Sequence, residues 1–114
     1  MLKIRTTMLA LTLVLTPLTL TTPARAADGF GRCPSGHLCL FSERDGNGTI
    51  GAFRSGAPNL EPFGVLNPLA AWNRTSRTFC LYTYPDYVQL ADTIAPGYRG
   101  GLNGEIAYSS VRAC

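Results

Sequence analysis

Apolar positions in this chain fall in short runs separated by turn-forming residues. Leu38-Cys39-Leu40-Phe41, Thr49-Ile50-Gly51-Ala52-Phe53, Thr78 to Tyr84 and Tyr108 to Arg112 read as strands, rich in aromatic and β-branched residues. Between them lie Asp45-Gly46-Asn47-Gly48, Ser55-Gly56-Ala57-Pro58-Asn59, Ala95-Pro96-Gly97 and Leu102-Asn103-Gly104. Such punctuation predicts an all-β sandwich or barrel. Asp45 to Gly48 predicts a hairpin, since Gly and Asn tolerate positive φ. No long helical periodicity appears beyond the first residues.

A faint repeat organises the strands. Cys39-Leu40-Phe41-Ser42 matches Cys80-Leu81-Tyr82-Thr83 at an offset of 41 residues, which also brings Gly56 onto Gly97. Each glycine is followed by a leucine, Leu60 and Leu102. Each half then carries an aromatic-to-hydroxyl run predicted as strand, Trp72 to Phe79 and Ile106 to Val111. Two such Greek-key halves packed face to face would bury Leu38, Leu40, Phe53, Leu60, Phe79, Leu81, Leu102 and Val111.

The first 26 residues follow a different logic. A short positive start (Lys3, Arg5), an uncharged Leu/Thr-rich stretch and Ala24-Arg25-Ala26 form the pattern of a cleaved export signal. The stretch falls short of the about 20 apolar residues that a membrane span needs. The expected organisation is a signal peptide over 1–26 and one secreted, extracellular domain over 27–114, with no membrane attachment after cleavage. Removing the signal takes Lys3, Arg5 and Arg25 with it, which leaves seven arginines against seven acids. A formally neutral domain gives no electrostatic reason to expect nucleic acid as a partner. The arginines read as a mixed-charge surface.

A small exported domain has a limited core and gains from covalent staples. Cys33, Cys39, Cys80 and Cys114 are read as two disulfides, for which three pairings exist. The turn-rich Pro34 to Leu38 segment favours Cys33–Cys39, which leaves Cys80–Cys114. The second bridge would close a loop of about 35 residues, about 3–4 kcal/mol by chain entropy. No Cys-x-x-Cys pair supports zinc. His37 is the only histidine and stands in a turn, with no nucleophile motif beside it, so no catalytic constellation is expected. Asn47-Gly48-Thr49 and Asn73-Arg74-Thr75 fit the glycosylation sequon and are read as turn or strand-edge residues. Most aromatics are expected in the core, and Tyr84-Pro85-Asp86-Tyr87 is the exposed hairpin segment expected to anchor a partner.

The repeat resembles the βγ-crystallin superfamily. The opening Cys33-Pro34-Ser35-Gly36-His37-Leu38-Cys39-Leu40-Phe41 resembles secreted actinobacterial proteins of the metalloproteinase-inhibitor family, which share that fold. The resemblance spans Cys33 to Cys114. It implies a disulfide-stapled, βγ-crystallin-like β-sandwich of two Greek keys. It also implies a non-enzymatic, monomeric inhibitor that occludes an extracellular metallopeptidase through exposed loops, without a cofactor. Inhibitory members carry their reactive segment in a further disulfide-closed loop in the second half, and no cysteine lies between Tyr84 and Gly97 to close one here. The superfamily also implies calcium, held by oxygen ligands that a hard cation prefers. Asn73, Glu105 and Ser109 are the matching positions, whereas Arg74, Arg77 and Ile106 depart from the pattern. The alternatives are a βγ-crystallin-like extracellular module with a structural or stress role, and a small exported toxin of the same fold.

Overall fold

The computed structural model describes residues 29–114, so the expected signal peptide lies outside the described residues. Eight strands form two four-stranded antiparallel sheets: β1 (Leu38–Phe41), β2 (Ile50–Phe53), β3 (Gly56–Ala57), β4 (Ala70–Asn73), β5 (Phe79–Tyr84), β6 (Val88–Ile94), β7 (Arg99–Gly101) and β8 (Ser110–Ala113). The first sheet has the order β2-β1-β4-β7 and the second β3-β8-β5-β6. The 41-residue repeat superposes β1, β2 and β4 on β5, β6 and β8. The third strand of each half crosses over: β3 pairs with β8, and β7 pairs with β4. Gly56 makes the first crossing possible. Its φ is +138°, and a Cβ there would run into the Val111 carbonyl on β8.

All eight residues predicted to be buried lie in one core between the sheets, joined by Ala57, Val65, Ala71, Ile94 and Tyr108. Alternation explains the choice, since Leu38 and Leu40, or Phe79 and Leu81, share one face of a strand. On the outer face, Cys33 bonds Cys39 and Cys80 bonds Cys114, the favoured pairing. The link between the halves also follows the repeat. Asn67, at φ +52°, donates its N–H to Tyr108 O at 3.0 Å, and Tyr108 N–H donates to Asn67 Oδ1 at 2.9 Å.

The strand expected from Trp72 through Phe79 breaks at Asn73. The fully buried Asn73 side chain accepts from Thr75 N–H (3.0 Å) and Thr75 Oγ1 (2.7 Å). It donates to Arg77 O (2.7 Å) and Ile94 O (3.0 Å). The side chain thus offers the backbone a turn in place of a ladder, and residues 74–78 cross between the sheets. In the Asp45 to Gly48 loop the two glycines take the positive φ, +83° and +76°, and Asn47 does not.

Candidate functional site

The most unusual backbone lies at the β5–β6 connection. Asp86, Tyr87 and Gln89 have φ of +61°, +63° and +66°, all left-handed and none a glycine. Each such residue costs on the order of 1–2 kcal/mol, so three within four positions, with extended Val88 between Tyr87 and Gln89, persist only where neighbours over-determine them.

Three neighbours hold Asp86 and Tyr87. Pro58, just after β3, accepts the Asp86 N–H at 2.9 Å. Ser110, fully buried at the start of β8, accepts the Tyr87 N–H at 3.0 Å and donates its own hydroxyl to Tyr84 O at 2.7 Å. Arg112 pairs with Cys80 across the ladder, which puts it on the outer face beside Tyr82. Its guanidinium stands 4.4 Å from the Tyr87 ring centroid and 5.6 Å from that of Tyr82. Tyr82 and Tyr87 themselves meet edge to face at 5.8 Å. Strand pairing makes this arrangement, since β8 lies beside β5 and carries Ser110 and Arg112 to the base of the tip.

The held segment carries exposed apolar groups. Tyr84 is 52% exposed, Val88 53% and Leu90 58%. Tyr82 pairs with Leu90 and Tyr84 with Val88, so these side chains share the outer face of the second sheet. A bulge at Leu81/Tyr82 re-aims this end of β6. The result is a braced turn with an exposed aromatic and aliphatic flank.

The sequence-predicted site residues are dispersed. Tyr84, Pro85, Asp86 and Tyr87 form the tip itself. Asn73 ends β4, with its side chain engaged by Thr75, Arg77 and Ile94. Exposed Glu105 lies in the β7–β8 loop. Ser109 precedes β8, and its backbone bonds Tyr82 and Leu60. Among the described residues no group of three His, Cys, Asp or Glu side chains is placed to hold a metal ion. His37 sits in its turn with Nδ1 2.9 Å from Ser35 O. Sequence reasoning missed Val88 and Leu90, read Ser110 with Ser109 only as part of the calcium pattern, and read Arg112 only as part of a mixed-charge surface. The neighbour of the strand over 108–112 could not be read from spacing.

No helix among the described residues is long and apolar enough to cross a membrane. No curated protein matches the chain. A family model described as peptidase inhibitor family I36 matches residues 26–94. The matched segment includes the tip and ends with β6, ahead of the β8 residues that brace it.

Proposed function

Because the chain belongs to peptidase inhibitor family I36, we propose that it blocks an extracellular metallopeptidase by seating the Tyr84–Gln89 tip in the target's cleft. An inhibitor acts by binding and not by catalysis, in keeping with a site that carries no reacting group. The observation that carries the reading is the left-handed backbone at Asp86 and Tyr87, braced by Pro58, Ser110 and Arg112. Strain of this kind is kept where rigidity serves recognition.

The conformation also determines how the block works. Peptide recognition in an extended groove needs β-region backbone, with alternate side chains filling pockets. Residues at φ near +60° cannot supply it. The tip therefore enters as a plug and is not processed as a substrate. Tyr84, Val88 and Leu90 supply the apolar anchors that dominate binding energy in such contacts. The exchange of third strands between the halves supports the βγ-crystallin-like assignment and gives the tip its floor, since Pro58 directly follows β3 and Ser110 begins β8, strands that meet only through it. The export signal expected over 1–26 would carry the protein to such a target.

Residual activity of a thermolysin-like metallopeptidase, titrated with the purified protein beside a serine protease, tests this reading. Stoichiometric loss of the metallopeptidase activity alone is expected, with the inhibitor's mass unchanged after prolonged incubation. Undiminished activity rejects the reading. Inhibition accompanied by cleavage within 84–89 rejects the plug and leaves the inhibitor.

A further inference from the structure

Asparagine and aspartate side chains do local structural work throughout this molecule. Asp45, Asn59, Asn73 and Asn103 each accept the backbone N–H two residues on, at 3.1, 3.1, 3.0 and 2.8 Å. That bond is what makes these residue types turn formers. Asn47 donates to the Asp45 carboxylate at 2.8 Å, and Asn67 accepts the Tyr108 N–H at 2.9 Å. Asp92 accepts the Thr93 N–H at 2.8 Å and the Tyr108 hydroxyl at 3.1 Å.

Asp86 is the exception among the described residues. It stands exposed in the tip at φ +61°, and its carboxylate accepts no hydrogen bond and enters no ion pair within the described chain. Other groups do the local work. Its own N–H goes to Pro58 O, and the next one, of Tyr87, goes to Ser110 Oγ. The nearby Arg112 guanidinium lies against the rings of Tyr87 and Tyr82. No other Asp, Glu, Lys, Arg or His lies between Tyr84 and Leu90. The turn is complete without the carboxylate, which leaves one unpaired oxyanion on a braced tip that is otherwise uncharged.

We propose that Asp86 ligates the catalytic metal ion of the target peptidase. The inference rests on reading the tip as a plug in a metallopeptidase cleft, and it names the group through which the plug acts. A catalytic zinc keeps one position open to water, and a carboxylate oxygen is among its ordinary ligands, at about 2.0–2.2 Å. One bond forms, from carboxylate oxygen to metal, and one breaks, from metal to water. The water leaves intact and no electron moves. That water is the nucleophile such enzymes activate, so its displacement stops hydrolysis while the tip stays uncut. No bond within the inhibitor has to break first, because the carboxylate has no internal partner to give up.

The wild-type protein and D86N are titrated into a thermolysin-like peptidase, with its zinc and after the zinc has been chelated away. Calorimetry reads binding, so the inactive metal-free enzyme serves as a second target. Asparagine keeps the size of the side chain and tolerates left-handed backbone, so D86N should unfold at the same urea concentration as wild type. Wild type is expected to bind the zinc enzyme at least about tenfold more tightly than the metal-free enzyme. D86N should lose about that factor against the zinc enzyme and nothing against the metal-free one. Each ratio compares two targets for one inhibitor, so any change in folding cancels from it. Equal binding of wild type to both targets overturns the inference, as does undiminished binding of D86N to the zinc enzyme; the plug survives either result. A loss in D86N that is equal on both targets assigns the carboxylate to another contact and also overturns it. Failure of wild type to bind either target rejects the plug itself, and this inference with it.

Discussion

Replacing Ser110 with alanine removes one oxygen from the most constrained part of the molecule. That oxygen is fully buried, accepts the Tyr87 N–H and donates to Tyr84 O. Its loss orphans a half-buried donor, at about 1–3 kcal/mol. The Tyr84 carbonyl suffers less, because Tyr84 is exposed and water can reach it. Against this, the left-handed residues are freed to relax and return on the order of 1 kcal/mol. The net expectation for S110A is a loss of about 1 kcal/mol. For a domain of this size that is a fall in Tm of roughly 4–8 °C. The assay pairs thermal and urea denaturation with the inhibition titration described above, and S109A serves as control. Ser109 contributes only backbone bonds, so S109A should change stability by less than about 0.5 kcal/mol. S110A should also bind the peptidase more weakly, because a loosened tip must be ordered on association. Unchanged stability in S110A would refute the bracing role of Ser110. Lowered stability with undiminished inhibition would refute the tip as the contact.

Two further outcomes follow from the same coordinates. D86G places the residue that tolerates φ of +61° where aspartate now stands, so stability should hold or rise by up to about 1 kcal/mol while inhibition weakens, as measured by urea denaturation beside titration. Tyr108 is buried and donates to Asp92 Oδ2 at 3.1 Å; burial first, and the carboxylate second, push its pKa up to about 12. The unfolded chain releases this proton near pH 10 while the folded chain keeps it. Its contribution is therefore complete below pH 10 and lost as pH rises toward 12. Y108F should flatten the stability profile in that window, and an unchanged slope would contradict the assignment.

The buried half of the structure was legible because alternation writes it into the sequence. Leu38/Leu40 and Phe79/Leu81 announce the faces they bury, and the 41-residue offset shows that the halves are built alike. Three things escaped. β6 carries no clean alternation, since it ends its sheet and exposes Val88 and Leu90 on one face. β7 is Arg-Gly-Gly and has no apolar residue to mark it. Asn73 was read through a metal-binding pattern, whereas its amide is a backbone partner that ends β4. The tip segment was located from its Pro and aromatics, but its left-handed run depends on Ser110 and Pro58, both more than twenty residues away in sequence. No local pattern encodes such support.

The exchange of third strands also bears on when the chain can fold. β3, near residue 56, has no ladder partner until β8, beyond residue 109, has been made. β5 likewise lacks one of its two neighbours until then. An emerging chain that ends before Ser110 already holds every strand of the first sheet, but the second sheet lacks its centre: β3 has no partner and β5 has one open edge. Contacts of such long sequence separation form slowly and together. A polypeptide built this way can set one layer early, and its core closes only when the last strand completes the layer that faces it.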